Sequence, residues 1–261
     1  MLALSACGSK PPTSPTPPVE TPVTPTPPTT PQPPPDPPAP PPPTLKFTKF
    51  VGFGDSLTEG VISPAATLMI KLDSPSAYPA ILQGLLTARY TAQTPVVLNR
   101  GKAGEQAVDG LPRFLDVLRQ DTPQVAIILE GFNDLAALGN KGITQAVGSV
   151  ESMVRQARSR GVVVLLATLP PERPGAPKTL SSSIYNEFNR QIRGTANDEG
   201  ATLIDLSSEL SLASIGSDGV HLTEAGYQEM AGIFFRHIQS LYEQAPQTIK
   251  AKPASKPQST D

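Results

Sequence analysis

Apolar strand-like runs alternate with amphipathic segments from residue 47 to residue 242, and this alternation limits the folds open to the chain. The apolar runs predict five strands, over residues 47–53, 95–99, 124–130, 162–168 and 201–206. The other segments carry apolar residues at helical spacing and predict helices over 77–90, 106–119, 143–160, 182–198 and 223–242. Helices of this length between strands make crossover connections. The pattern therefore predicts an α/β domain with a parallel sheet covered on both faces.

Proline is concentrated before this alternating region, where residues 11–43 contain 19 of the 32 prolines. Such a segment has too few apolar side chains to offset the entropy of ordering, so we expect a disordered linker over residues 11–44. A ligand for a proline-binding module is the alternative, because P-x-x-P matches are unavoidable here. Residues 244–261, with three prolines among Lys, Ser and Thr, predict a disordered tail. The folded domain is therefore expected over residues 45–243.

Composition argues against several functions as the main task of the chain. A formal charge of −2 without a basic cluster argues against nucleic-acid binding. No His, Cys, Asp or Glu cluster has the spacing of metal ligands, so neither a metal nor another cofactor is expected. No apolar stretch approaches the ~20 residues of a membrane-spanning helix. A single cysteine, Cys7, rules out an internal disulfide.

The surroundings of Cys7 suggest a membrane anchor. Leu4-Ser5-Ala6-Cys7 resembles the lipobox of bacterial lipoproteins, in which the cysteine is acylated and becomes the mature N-terminus. Gly8 resembles the default for the outer membrane, and a long spacer follows. We therefore expect residues 1–10 to be a signal remnant, with a lipid on Cys7 that anchors the protein to the outer membrane of a Gram-negative bacterium. Because only six residues precede Cys7, a periplasmic or secreted protein with an incidental cysteine is the alternative.

Four polar clusters follow predicted strands or lie in the last loop. They are Gly54-Asp55-Ser56, Asn99 to Gly104, Gly131-Phe132-Asn133-Asp134, and Asp218-Gly219-Val220-His221. Ligands of parallel α/β sheets bind at the carboxyl ends of the strands, so the first three clusters are expected at one edge of the sheet.

A nucleophilic serine requires a base and a group that orients the base, and the chain offers few candidates. Of the two histidines, His237 lies inside the last predicted helix and is expected to be structural. His221 precedes that helix and lies three residues after Asp218. A turn there would bring the carboxylate to one ring nitrogen and leave the other nitrogen for Ser56. Asp55 is expected to fix its own turn by accepting backbone N–H groups.

Each cluster taken alone also has a structural explanation. Ser56, Asn133 and Asp134 suit helix caps, and Asp218 followed by glycine is an ordinary turn signal. Gly101 and Gly104 suit a tight turn. The occurrence of all four clusters in this order, at these positions, favours an active site over the separate explanations.

The ordered set of clusters resembles the GDSL, or SGNH, hydrolase superfamily over about residues 47–242. This resemblance implies a three-layer α/β/α fold around a five-stranded parallel sheet, of flavodoxin-like type. It implies Ser56 as nucleophile, His221 as general base and then acid, and Asp218 as the orienting carboxylate. The oxyanion hole would combine the backbone N–H groups of Ser56 and Gly104 with the side-chain amide of Asn133.

The resemblance implies a serine ester hydrolase that acts on a small ester or acyl substrate, in the style of bacterial lipases, lysophospholipases, thioesterases or arylesterases. A carbohydrate O-acetyl esterase of envelope polysaccharide is the alternative, and a non-catalytic envelope-binding lipoprotein is a third. Residues 61–74 are apolar enough to line an acyl pocket or form a lid, or simply to fold back on the core. Residues 168–174 are a second candidate for shaping specificity.

Overall fold

The structure is a computed structural model that describes residues 41–245. The predicted acylation site at Cys7, the proline-rich segment up to residue 40 and the predicted tail from residue 246 lie outside the described residues. These expectations stay predictions.

The described residues form nine strands. In chain order these are β1 (Thr44–Leu45), β2 (Lys49–Gly54), β3 (Val61–Ile62), β4 (Lys71–Leu72), β5 (Val96–Gly101), β6 (Val125–Leu129), β7 (Val163–Ala167), β8 (Thr202–Ile204) and β9 (Glu243–Gln244). Five of them make the central sheet in the order β5-β2-β6-β7-β8, and each neighbouring pair is parallel. The predicted five-stranded parallel sheet is confirmed. The last strand was predicted over residues 201–206 and is shorter in the structure, where β8 spans Thr202–Ile204.

Helices cover both faces of this sheet, which confirms the three-layer α/β/α architecture. The α-helices are α1 (Ser56–Glu59), α2 (Tyr78–Arg89), α3 (Ala107–Asp121), α4 (Phe132–Leu138), α5 (Asn140–Arg158), α6 (Ser182–Asp198), α7 (Leu206–Glu209) and α8 (Glu224–Tyr242). Helix α2 packs against α8, while α5 packs between α3 and α6. Two short helices, α1 and α4, directly follow β2 and β6, and neither was predicted.

The core sits where the sequence is continuously apolar. All five residues of β6 are fully buried, as are Phe50, Val51 and Phe53 in β2. A strand buried on both faces has no solvent-facing side, so its sequence reads as an unbroken apolar run rather than as an alternation. This burial fixes β2 and β6 in the interior of the sheet and leaves only their ends free for polar groups.

The described chain begins and ends in one small antiparallel ribbon. Thr44 pairs with Gln244 and Leu45 with Glu243, and the N–H of Lys46 donates to the carbonyl of Tyr242 at 2.9 Å. Thr44 and Gln244 lie one residue outside the predicted domain limits. Within residues 41–245, no helix is long and apolar enough to cross a membrane.

Candidate active site

Ser56 is held at the carboxyl end of β2 by a short, well-capped helix. Oδ1 of Asp55 accepts a hydrogen bond from the N–H of Leu57 at 2.9 Å, which makes Asp55 the N-cap of α1. Gly60 ends the helix with a φ of 112°, a conformation that favours glycine, and donates to the carbonyl of Ser56. The expectation that Asp55 fixes this turn is confirmed. Ser56 is therefore the first residue of α1, buried but at the rim of the sheet.

His221 joins Ser56 to Asp218 in one chain of hydrogen bonds. Nε2 of His221 lies 2.9 Å from Oγ of Ser56, and Nδ1 lies 2.5 Å from Oδ2 of Asp218. His221 lies just before α8, whose N-cap Thr223 accepts from the N–H of Gly226. The three side chains that the sequence singled out for nucleophile, base and orienting group are thus brought together.

The carboxylate of Asp218 is surrounded by donors. Oδ1 accepts from the backbone N–H groups of Val220 and His221 at 3.1 and 3.0 Å. Oδ2 accepts from the imidazole and lies 3.2 Å from Nζ of Lys178. Burial opposes ionisation, but the hydrogen bonds from His221 and Val220 outweigh it and hold the pKa of Asp218 well below its usual range. Asp218 is therefore a carboxylate in the folded protein.

Residues 61–74 support the Asp218 turn and do not line the cleft around Ser56. Oγ of Ser63 accepts from the N–H of Asp218 at 3.2 Å, and the carbonyl of Pro64 accepts from the N–H of Ser217. Beyond these contacts, residues 65–72 are exposed. This segment therefore acts on the candidate site through the backbone that carries Asp218.

The backbone N–H groups of Ser56 and Gly104 are not used within the part of the chain that the structure describes. Among residues 41–245, no acceptor takes a hydrogen bond from the N–H of Ser56 or of Gly104. The loop that carries Gly104 is held against β2 and α1, because Lys102 N–H donates to the carbonyl of Gly54 and Ala103 N–H donates to Glu59. Gly104 itself has a φ of 76°, which explains the glycine.

The side-chain amide of Asn133 has protein acceptors on both of its hydrogens. Nδ2 donates to Oδ2 of Asp55 at 3.2 Å and to the carbonyl of Glu105 at 2.9 Å. Asn133 lies inside α4, whose N-cap is Gly131, so the alternative that Asn133 caps this helix is not what the structure shows. Donation to a ligand oxygen would require the amide to exchange one of these bonds, and the bond to Asp55 is the longer.

Buried acidic groups lie beside Ser56 on the side of Asp55. Burial raises the pKa of Asp55 to about 6, against the opposing hydrogen bond from Leu57 and the charge of His221. Burial also raises the pKa of Glu130 well above its ordinary value, and the charges of Asp55 and Glu105 add to that shift. Oε1 of Glu130 has no hydrogen-bond partner among the described residues. Ionisation of Asp55 and Glu130 is therefore less favourable than that of a carboxyl in water.

A cleft of about 410 Å³ opens over Ser56 and His221. Its apolar part is formed by Phe132, Ala136, Pro177 and Leu180, and its polar part by Ser56, Asn133, Lys178, Thr179 and His221. A much smaller hollow, about 10 Å³, lies between Leu57, Phe132 and the segment 169–172. The predicted rim loop at residues 168–174 thus borders this hollow, while residues 177–180, which the sequence did not single out, line the cleft.

A comparison with protein families shows the family to which the chain belongs. Residues 53–229 match a family model described as GDSL-like Lipase/Acylhydrolase. The chain belongs to this family. It is therefore a hydrolase of the esterase and acylhydrolase type, as the resemblance implied. None of the curated proteins compared with the chain matches it.

Solved structures share the fold of this GDSL hydrolase at low sequence identity. A lipase/acylhydrolase from Enterococcus faecalis is 22% identical, with a TM-score of 0.63 over 77% of this chain and 100% of that chain. An aryl esterase from M. smegmatis is 21% identical, with a TM-score of 0.62 over 74% and 98%. A carbohydrate acetylesterase family member from Sinorhizobium meliloti is 18% identical, with a TM-score of 0.61 over 73% and 97%.

Asp134 and Gly101, which belong to the polar clusters of this GDSL hydrolase, make structural contacts. Oδ2 of Asp134 accepts from the N–H of Ala107 at 2.8 Å, at the start of α3. Gly101 lies in β5, where a Cβ would overlap the backbone of Glu59 in α1. His237 lies in α8 as expected, and its Nε2 contacts Glu209 at 2.9 Å, outside the cleft.

Sequence reasoning missed the residues that support Asp218 from other segments. Ser63 and Lys178 both contact Asp218, yet neither lies in one of the four clusters. No local pattern marks them, because each contact is made across a long stretch of chain. Only the proximity of Ser63 to the first cluster was a usable signal.

Proposed function

We propose that this GDSL hydrolase is a serine carboxylic ester hydrolase that works through an acyl-enzyme on Ser56. The observation that carries the proposal is the continuous chain of hydrogen bonds from Oγ of Ser56 through His221 to Asp218. This is the arrangement that an imidazole base needs, with one nitrogen facing the nucleophile and the other fixed by a carboxylate.

In the proposed reaction His221 moves the proton at Nε2. Oγ of Ser56 attacks the acyl carbonyl while Nε2 takes the hydroxyl proton, and the C–O bond to the alcohol then breaks as Nε2 gives that proton to the leaving oxygen. Water attacks the acyl-enzyme in the same way, with Nε2 again taking and returning a proton. Asp218 stays ionised throughout, because its donors stabilise the charge.

The developing oxyanion would be met by backbone donors that have no other task. The N–H groups of Ser56 and Gly104 lack acceptors in residues 41–245, and each donor of this kind stabilises a tetrahedral intermediate. We assign Asn133 as the third donor, made available when its longer bond to Asp55 is exchanged for one to the substrate.

The apolar side chains of the cleft support a carboxylic ester with an apolar acyl group, as in lipase, lysophospholipase, thioesterase or arylesterase substrates. Phe132, Ala136 and Leu180 offer such a group a surface beside Ser56. The second candidate is removal of O-acetyl groups from polysaccharide. It is supported by a neighbouring groove of about 480 Å³ that shares Thr179 and Leu180 with the cleft, because its Glu172, Tyr185 and Asn186 suit a hydroxyl-rich leaving group.

A panel of esters tests both candidates in one experiment. It would contain acyl chains from acetyl to long-chain, a lysophospholipid and an acetylated glycan, assayed with wild type and Ser56→Ala. We expect Ser56→Ala to lower kcat by about 10⁴-fold or more on every accepted substrate. Ser152→Ala, an exposed hydroxyl on α5, is the matched control and should retain wild-type rates.

The outcomes separate the candidates. Release of longer acids supports the leading proposal, and release of acetate alone, from the glycan, supports the second. Full turnover by folded Ser56→Ala would reject the acyl-enzyme on Ser56. Absence of ester hydrolysis in wild type across the panel would instead favour the non-catalytic, envelope-binding alternative.

A further inference from the structure

Lys178 brings a positive charge to the same carboxylate oxygen that orients His221. Its Nζ lies 3.2 Å from Oδ2 of Asp218, and that oxygen also accepts from Nδ1 of His221 at 2.5 Å. The side chain of Lys178 is 41% exposed, whereas that of Asp218 is 4% exposed. The ammonium therefore reaches from the cleft wall into the hydrogen-bond chain of the candidate site.

The backbone holds Lys178 in this place. We call residues 173–179 the strap. The N–H of Lys178 donates to the carbonyl of Asp218 at 2.9 Å, and the N–H of Arg173 donates to the carbonyl of Gly219 at 3.2 Å. Gly219 has a φ of 97°, and a Cβ there would lie 2.6 Å from Cβ of Ala176. The strap thus packs on the Asp218 turn without room for a side chain between them, which fixes the backbone from which the Lys178 side chain extends.

We propose that Lys178 is a positioning residue of the esterase that acts through Asp218 to favour the neutral form of His221. This inference rests on the proposed function of the site. An ammonium on Oδ2 takes up part of the carboxylate's negative charge, so the carboxylate stabilises an imidazolium less. The base must be neutral to accept the proton of Ser56, so Lys178 extends activity to lower pH.

The other charged groups around His221 act in the opposite direction. Asp218 in its own turn stabilises the imidazolium, and the charge of Asp55 at the start of α1 also interacts with His221. Tyr227 on α8 donates to the carbonyl of Val61 at 2.9 Å, and burial raises its pKa well above 10, so it carries no charge. Lys178 offsets the nearer of these two carboxyls, because its ammonium lies 3.2 Å from Oδ2 of Asp218.

The size of the effect follows from the exposure of Lys178. A partly exposed charge is screened by water and salt, so its influence on a neighbouring titration is a few tenths of a pH unit to about one unit. Added salt should weaken the influence further, because the ammonium is reached by counterions. A purely structural role of the strap would not respond to salt in this way.

The test is the pH dependence of kcat/KM for wild type, Lys178→Met and Lys178→Arg. We expect Lys178→Met to move the midpoint of the acid limb upward by about half a pH unit, which is about a threefold loss on that limb. Lys178→Arg should retain the wild-type midpoint, because it keeps the charge. In 1 M NaCl the difference between wild type and Lys178→Met should shrink.

Three controls keep the result interpretable. Lys49→Met removes a lysine at the opposite end of β2 and should leave the midpoint unchanged. Lys178→Gln serves if the methionine variant does not fold. Ser56→Ala, measured in parallel, separates this inference from the proposed function, because its activity alone decides whether Ser56 is the nucleophile.

An unchanged midpoint in both Lys178→Met and Lys178→Gln would overturn the proposal. So would an unchanged midpoint combined with a selective loss on carboxylate-bearing esters, because that result would place the ammonium on the substrate instead of on Asp218.

Discussion

Two acidic regions flank the Ser56–His221 pair, and burial alone does not decide their charge. Asp218 is 3% exposed, and its pKa lies well below the usual range. Asp55 and Glu130 are 1% and 3% exposed, and their pKa values are raised, that of Asp55 to about 6. The exposed fractions are nearly equal, but Asp55 and Glu130 lie deeper in the protein than Asp218, so the depth of burial and the partners together set the difference.

The partners differ in number and in sign. Asp218 receives hydrogen bonds from two backbone N–H groups and an imidazole, with an ammonium on Oδ2. Glu130 receives one bond, from the N–H of Gly131, and shares its surroundings with other carboxyls. A buried carboxyl is stable as an anion when hydrogen-bond donors replace the water that it has lost. When its neighbours are other carboxyls instead, its pKa rises and the carboxyl stays protonated.

The largest expected effect comes from removing the charge in the first region. Asp218→Asn should lower kcat by about 10³-fold or more, because the amide favours the wrong tautomer of His221 and gives an imidazolium no charge to pair with. Steady-state kinetics on the best ester of the panel measure this loss.

Asp55→Asn is the matched substitution in the second region. It keeps an oxygen to cap α1 and does not contact the imidazole, so kcat should stay within about tenfold of wild type. Equal losses of kcat in folded Asp218→Asn and Asp55→Asn would show that the two regions contribute alike to the reaction, which would contradict the difference drawn between them.

Asn133 tests whether the second region also serves the reaction. Asn133→Ala should lower kcat by about 100-fold with little change in KM, because an oxyanion donor acts mainly in the transition state. Activity and thermal stability would be measured on the same preparation. Full turnover in a folded variant would restrict Asn133 to its bonds with Asp55 and Glu105.

Glu130 gives the smallest effect, seen in stability alone. The folded pKa of Glu130 is raised, so wild-type stability falls as pH rises from about the ordinary value of 4.5 through the folded pKa. Asp55 adds a loss of stability of the same sign as pH rises from 3.8 to about 6, because its folded pKa is raised to about 6. Glu130→Gln removes the pH-dependent loss that comes from Glu130. The Tm of this variant should therefore rise relative to that of wild type as pH rises.

Thermal melts from pH 4 to pH 9 would check this prediction. Glu151→Gln, an exposed helical pair partner of Arg155, is the control and should track the wild-type pH dependence closely. A Tm difference between Glu130→Gln and wild type that does not change with pH would contradict the raised pKa.

The sequence predicted the architecture well because the sheet is buried on both faces. Unbroken apolar runs such as β6 and β7 mark such strands directly. The meeting of Ser56 and His221 was predicted from the order of the four clusters and from the family resemblance, because His221 lies in the loop before α8 and not at the end of a strand of the sheet. Asp218 followed from its spacing of three residues to His221.

What the sequence did not predict depends on contacts between distant segments. Oγ of Ser63 accepts from the N–H of Asp218 across 155 positions, and the only local signal was the proximity of Ser63 to the first cluster. The sequence analysis singled out residues 168–174 and stopped short of Lys178 in the strap. Helix α4 was missed because its seven residues are too few to show helical periodicity, and the position of the Asn133 amide was open for the same reason.

The ribbon formed by β1 and β9 has a practical consequence for handling the enzyme. Helix α8 begins beside His221 and spans 19 residues, about 28 Å, before it reaches that ribbon. Both exits of the described chain therefore lie far from the mouth that receives substrate, and side by side. Fusion tags or a solid support attached there would leave the mouth unobstructed, and a short bridge from residue 244 to residue 44 would permit circular permutation.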